Sequence, residues 1–486
     1  MTTVIVQPFV IAFVLAVLLV PLCRRLAFRI GLVAHPRADR WHRTSIPMLG
    51  GIAIGVSTFS ASLVMGIHQE LAVFIGAAVV MFMAGLVDDI LALKPSTKLV
   101  VQLATAAVLV AFNYRLHWMD SRLLDSVVTI VWVVGLTNAF NLLDNMDGLC
   151  AGTAAVVAAM MVAGFWTGVT RELAAAEMAY LSIIAGASAG YLVYNFPPAS
   201  IFMGDCGSLM LGFSLAAMTL GSEGVRGSRA DVLTVIVAPV FVLMLPIFDT
   251  ALVTVARIMS GRPPMLGGRD HSSHRLVAIG LSERKAVFLL WALAAAGGAI
   301  GLVVRNVTGG WTLVVGGLFV VLTGLFAVYL SRVRVYDDKA PVSSGNGFTP
   351  LVGDFMHKRR VVEVIVDFGV IGVSYYYANR LRFDPEAYAA NAENFYGSLP
   401  IVLAMQLVAF FIVGVYRGEW HLYGADDALT AMKGVVVGVS AVAVVVLALF
   451  ADIADPRMVL VYYAGLLAAL MLLSRGSFRL ASQLLR

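Results

Sequence analysis

The 486 residues are 60% hydrophobic and only 13% charged, with a mean hydropathy of +0.90. That composition excludes a soluble globular domain and places the chain in a bilayer. The formal net charge of +5 does not point to a nucleic-acid partner, because the basic residues are divided among short loops, where they act as topology signals.

Apolar stretches long enough to cross a hydrocarbon core of roughly 30 Å as helices recur along nearly the whole chain. They predict helices near residues 4–22, 49–67, 71–87, 99–113, 126–142, 151–168, 174–194, 207–221, 232–256, 286–304 and 311–330, and four more near 361–379, 398–416, 429–450 and 458–474. The expected fold class is therefore all-α, a polytopic transmembrane helix bundle of about 11 helices plus a 4-helix C-terminal block. The first stretch has no basic segment before it and carries Arg24 and Arg25 after it, the reverse of a cleavable signal peptide, so it is expected to stay as an anchor. Cys23, Cys150 and Cys206 lack CxxC spacing and are expected to be free thiols.

With the N-terminus outside, 25 of the 34 Lys and Arg residues fall in cytoplasmic segments. The positive-inside rule thus selects N-out, C-in. A polar Gly/Ser/Pro-containing break divides the chain into residues 1–335, a linker at 336–356, and a four-helix block at 357–486.

A carboxylate at the centre of a membrane helix costs roughly 2.5 to 3.5 kcal/mol on insertion scales, so membrane chains keep carboxylates for function, for pairing or at interfaces. Here they cluster at helix ends: Asp88 and Asp89 in GLVDDI, Asp144 and Asp147 in NAFNLLDNMDGL, and Asp205 in FMGDCGS. All five face the cytoplasm in the N-out topology. Such a group needs a cation, since mutual repulsion in a partly desolvated site would otherwise raise the carboxyl pKa values. Mg²⁺ suits it, as a hard ion that takes one or two carboxylates and completes its shell with water and substrate phosphates. No cysteine cluster or HExxH pattern favours Zn²⁺.

Two basic loops lie on the same side. One carries His35, Arg37, Arg40, His42 and Arg43, and the other carries Arg269, His271, His274 and Arg275. Guanidinium and imidazole groups of this kind bind diphosphates through charge-assisted hydrogen bonds. Taken singly, each acid is equally well a helix cap or a turn residue, and each histidine a solvated loop residue. Those plain readings do not account for all acidic clusters and both basic loops sharing one face. A transporter is the rival class, but its midplane site and repeat symmetry are not visible in the sequence.

At these motifs the sequence resembles the polyprenyl-phosphate N-acetylhexosamine-1-phosphate transferases of MraY/WecA type, over about residues 1 to 335. The matching segments run in order: GLVAHPRADRWHRTSIPMLGG, GLVDDILALKPSTKLVVQ, NAFNLLDNMDGLCAG, NFPPASIFMGDCGSLMLG and RDHSSHRL. The resemblance implies transfer of N-acetylhexosamine 1-phosphate from a UDP-N-acetylhexosamine to polyprenyl phosphate at the cytoplasmic face of a bacterial inner membrane, with membrane lipid around the protein. It implies Asp205 as the Mg²⁺ ligand, with Mn²⁺ as a substitute, and Asp88 and Asp89 as the paired aspartates, of which Asp88 is the base for the lipid phosphate. It places Asn141, Asp144 and Asp147 near nucleotide and metal, and Phe202 against uracil. Asn195 and Lys98 would line the cleft, and His271, His274 and Arg275 would meet the diphosphate and sugar; His42 of the first basic loop is a further candidate for substrate binding. A homodimer is admitted. The family loop often reads HxHHR, whereas this chain reads HSSHR, with Ser273 in the middle. The IPMLGG of the first loop looks more like the N-acetylglucosamine branch than the branch using UDP-MurNAc-pentapeptide.

The C-terminal block, from HKRRVVEVIVDFGVIGVSYYYANRLRFDPE to SRGSFRLASQLLR, is similar to the membrane anchors that precede nucleotide-sugar dehydratases and epimerases. No GxGxxG follows. The block is expected to be dispensable for chemistry and to bring in a nucleotide-sugar-modifying enzyme.

Overall fold

The computed structural model describes residues 2–34, 45–167, 174–220, 232–260, 262, 268–306, 310–333, 359–416, 425–449 and 456–484. Among these residues ten helices are long and apolar enough to cross a membrane. The chain divides by internal contacts into two units, Met1–Ala92 with Leu116–Asp120 and Val131–Asp354, and Leu93–Arg115 with Ser121–Ile130 and Phe355–Arg486.

In the first unit, a π turn at Thr2–Val6 leads into α1 (Gln7–Ile30), followed by α2 (Gly50–Val64) and α3 (Ala72–Leu91). After α4 (Pro95–Ala111), which belongs to the second unit, come α5 (Arg122–Leu143), whose residues up to Ile130 also belong to the second unit, then α6 (Leu149–Thr167), α7 (Ala175–Asn195) and α8 (Asp205–Ala217). The first unit ends with α9 (Val232–Val242), α10 (Met244–Met259), α11 (Ser272–Ala278), α12 (Glu283–Asn306) and α13 (Gly310–Ser331). Helix α7 is buried along most of its length among α1, α2 and α6. By contrast α13 presents Val314, Leu318, Val321 and Leu325 outward, an apolar face suited to lipid.

The predicted helices recur with shifts of a few residues at most ends, while the last, expected over 458–474, spans Pro456–Leu484, and one expected helix is split. The stretch expected as a single helix over 232–256 breaks at Leu243 into α9 and α10. Pro246 has no N–H to donate to the carbonyl of residue 242, so the hydrogen-bond ladder cannot run through that turn. A two-stranded antiparallel ribbon, β1 (Val33–Ala34) with β2 (Ile46–Pro47), pairs Val33 with Pro47 and Ala34 with Ile46. The basic loop holding His42 lies between these strands in sequence and outside the described residues.

The second unit comprises α4 with α14 (Arg359–Arg382), α15 (Pro385–Ala390), α16 (Ala392–Val413), α17 (Ala425–Leu449) and α18 (Pro456–Leu484). Helix α4 packs on α16 and α14, with Ser96, Gln102 and Thr105 on its buried face. Apolar side chains gain little by leaving lipid for a helix interface, so close packing and polar contacts hold such helices together. Arg475 of α18 donates to both carboxylate oxygens of Asp367 on α14, at 2.8 and 2.6 Å, with both side chains buried. Gln406 of α16 donates to the Gly434 carbonyl of α17 at 3.1 Å and accepts from the Tyr463 hydroxyl of α18 at 3.3 Å.

Candidate active site

Helix α3 approaches α8 at backbone contact. A Cβ at Gly85 would stand 2.5 Å from Cα of Cys206, so only glycine permits the crossing. One turn on and on the same face, Asp89 reaches the first turn of α8. Its Oδ1 accepts the backbone N–H of Asp205 at 2.7 Å and its Oδ2 that of Cys206 at 3.0 Å. The residue before α8 is Gly204, whose φ of +77° favours glycine and which offers no capping side chain. The cap comes from another helix, and such a cap contributes about 1 kcal/mol. Asp88 precedes it on the last turn of α3, half-buried.

Asn141 near the end of α5 donates from Nδ2 to Asp205 Oδ1 and to Ser208 Oγ, both at 2.9 Å. The acidic turn then follows. Asp147 Oδ2 accepts the Ala199 N–H at 2.7 Å. Burial raises the Asp144 carboxyl well above its ordinary pKa, and the negative charges of Asp205, Asp89 and Asp147 raise it further. Three sequence motifs separated by up to 117 residues therefore meet as one field of negative charge.

Phe202 is half-buried, on a loop held to β2 and α2. Its N–H donates to the Pro47 carbonyl at 2.8 Å, and its own carbonyl accepts the Gly50 N–H at 2.9 Å. Asn195 is buried, and its polar atoms clasp backbone: Oδ1 accepts the Gly148 N–H and Nδ2 donates to the Ile201 carbonyl, both at 2.9 Å. It ties the acidic turn to the Phe202 loop. Lys98 stands on α4, half-buried, in the second unit.

The histidine segment is built around a carboxylate that sequence reasoning passed over. Asp249 of α10 is 1% exposed. Its Oδ2 lies 2.8 Å from His271 Nδ1, and its Oδ1 accepts the Ser272 N–H at 2.7 Å. When His271 is neutral, a carboxylate facing Nδ1 holds the proton there and leaves Nε2 as the acceptor. The signal was present, since a lone Asp in LPIFDTALV meets the same criterion of cost that marked the other acids.

Arg275 is occupied as a helix cap. It donates from Nε to the Asp270 carbonyl at 2.7 Å and from Nη1 to the Leu330, Ser331 and Val333 carbonyls, at 2.8, 3.2 and 3.1 Å, at the end of α13. Arg257 forks onto the Asp270 carboxylate at 2.7 and 2.6 Å. Burial alone would raise Asp270, and this guanidinium overrides it and holds the carboxyl below its ordinary pKa. His274 is lowered to about 4, first by burial and then by the charges of His271 and Arg269. It is a neutral imidazole at physiological pH.

Among the described residues no three His, Cys, Asp or Glu side chains form a ready-made metal site. The donor set nonetheless fits Mg²⁺. Asp205 offers a hard oxygen, the neighbouring carboxylates Asp89 and Asp147 lie close enough to raise Asp144 by their charge, and Mg²⁺ commonly takes only one or two protein carboxylates.

Residues 71–223 match the model of Glycosyl transferase family 4. A Bacillus subtilis protein named as a probable undecaprenyl-phosphate N-acetylglucosaminyl 1-phosphate transferase is 31% identical over 319 residues, 63% of this chain and 86% of the relative. A decaprenyl-phosphate N-acetylglucosaminephosphotransferase of Mycolicibacterium smegmatis is 33% identical over 316 residues, 58% of this chain and 77% of the relative. A phospho-N-acetylmuramoyl-pentapeptide-transferase of Shouchella clausii is 27% identical over 332 residues, 62% of this chain and 96% of the relative.

Proposed function

Because the chain belongs to glycosyl transferase family 4, the polyprenyl-phosphate N-acetylhexosamine-1-phosphate transferases, we propose that this multi-pass membrane enzyme transfers GlcNAc 1-phosphate from UDP-GlcNAc to undecaprenyl phosphate and releases UMP. This would be the first membrane step in building a cell-envelope polysaccharide. The observation that carries the reading is the meeting of Asp89, Asn141, Asp144, Asp147 and Asp205 around the start of α8. The choice of sugar is supported by relatives above 30% identity that are named for N-acetylglucosamine and by the IPMLGG segment.

A lipid phosphate oxygen attacks the phosphorus that bears the sugar. The P–O bond to UMP breaks, and the sugar phosphate moves intact. Mg²⁺, when bound, would neutralise charge developing on the leaving group. Asp205 would hold it, with Asn141 orienting that carboxylate and Asp89 fixing the helix end that presents it. Asp88 orients the acceptor phosphate, and proton removal there is a minor demand because such a phosphate is mostly dianionic at neutral pH. Phe202 stacks on uracil, and His271 and His274 line the sugar-diphosphate side. The basic-loop bias supports an N-out orientation with the site in the cytoplasm. The chemistry is assigned to residues 1–335, and the block at 357–486 to a supporting and partner-recruiting role.

The test is UMP release by purified full-length protein. It is expected only when UDP-GlcNAc, undecaprenyl phosphate and Mg²⁺ are all present. Release that ignores the lipid phosphate would overturn the reading, and a preference for UDP-MurNAc-pentapeptide would move the protein to the peptidoglycan branch.

A further inference from the structure

Two segments of the site come together through a serine. Ser273 is fully buried, and its Oγ donates to Asn145 Oδ1 at 2.7 Å across 128 residues of sequence. Asn145 sits inside the acidic turn between Asp144 and Asp147. Its Nδ2 donates to the Leu142 carbonyl at 2.6 Å, which fixes the amide with Oδ1 as the acceptor for the serine. On its other flanks the histidine segment is fastened to α10 through Asp249 and to the end of α13 through Arg275. A serine side chain reaches only two bonds from Cα, so the hydrogen bond exists only when the two segments are drawn close. An imidazole at this buried position, as in the HxHHR pattern, would hold them further apart.

We propose that Ser273 is a positioning residue, whose hydroxyl latches the histidine segment 271–275 to the acidic turn 144–147 and so sets the gap that receives the diphosphate of the UDP-sugar. The inference rests on the transferase reading for the identity of the ligand. The latch acts on UDP-sugar binding, because it joins two segments facing that substrate and touches nothing assigned to the lipid phosphate.

The test uses the full chain in nanodiscs with Mg²⁺. UDP-GlcNAc affinity is measured by calorimetry, and the KM for each substrate and the thermal midpoint are measured alongside. Ser273→Ala and Asn145→Ala should each weaken UDP-GlcNAc binding about fivefold, the equivalent of one net hydrogen bond. The KM for undecaprenyl phosphate should stay where it is, and the thermal midpoint should fall only by the small amount that one buried hydrogen bond contributes. The double variant should be no weaker than Asn145→Ala alone, since that change already removes the bond that Ser273→Ala removes. Unchanged affinity in Ser273→Ala, or penalties that multiply in the double variant, overturns the latch. A wild type that binds UDP-GlcNAc but transfers nothing overturns the proposed function, and the affinity comparison still decides the latch. A wild type that does not bind UDP-GlcNAc overturns both.

Discussion

Asp89 accepts the backbone N–H of Asp205 at 2.7 Å, so one aspartate of the α3 pair supports the residue proposed to hold the metal. Asp89→Asn would set an NH₂ group against one of two backbone donors and strip the negative charge from the α8 terminus. Helix-terminus charge and cap together contribute about 1 to 2 kcal/mol. Transfer is expected to fall about 10- to 100-fold, as when the support of a metal ligand is lost. Asp205→Asn should abolish transfer with an unchanged thermal midpoint, because it keeps volume and the acceptor for Asn141. Mg²⁺ titrations on both variants check this, and near-normal turnover of Asp205→Asn at saturating Mg²⁺ would refute the assignment.

Asp249 offers a second test, since both of its oxygens are committed to the histidine segment. In Asp249→Asn the amide oxygen can still accept from Ser272, but the NH₂ then faces His271 Nδ1 and inverts the tautomer. A loss of kcat of about tenfold or more is expected, by the logic of a carboxylate that sets a histidine's tautomer. Steady-state kinetics give the answer. Wild-type kcat in a folded Asp249→Asn protein would mean that the His271 tautomer is irrelevant to transfer.

His274 carries a pH signature. Its pKa is lowered from 6.5 to about 4 in the folded state. Between those values the unfolded chain takes up a proton that the folded chain refuses, so stability is lost as pH falls from 6.5 towards 4 and is fully present above 6.5. The loss amounts to at most about 3 kcal/mol. His274→Asn should show a smaller drop in thermal midpoint than wild type across that window. Identical pH slopes would place the acid sensitivity elsewhere.

Truncation tests the role of the C-terminal block. A chain ending at residue 345 keeps every proposed catalytic residue but deprives α4 of α14 and α16. That would leave the buried face of Gln102 and Thr105 without its packing, and α4 also bears Lys98. The thermal midpoint and transfer rate of the truncated chain are both expected to fall in nanodiscs. If both equal the full-length values, the block is dispensable, as its composition alone suggests.

Hydropathy by itself determined the class of fold and most helix positions, because a lipid-spanning segment must be continuously apolar and hydrogen-bonded within itself, whereas ten of the fifteen expected spans reach membrane length among the described residues. The cost of charge in lipid likewise made Asp88, Asp89, Asp144, Asp147 and Asp205 stand out from their surroundings. What each polar group does was decided only in three dimensions. A buried polar atom must find a partner, and the partner is set by which helix ends meet. Asp89 became the cap of α8, Asn195 a clasp between two loops, and Arg275 a cap on α13, where residue type alone allowed all three to face substrate. Asp249 entered the site because α10 packs beside α11. The same holds for α4, whose position in the chain groups it with the transferase motifs while its buried face lies against the C-terminal helices. Contact between distant segments depends on packing geometry, and hydropathy along the chain carries no record of it.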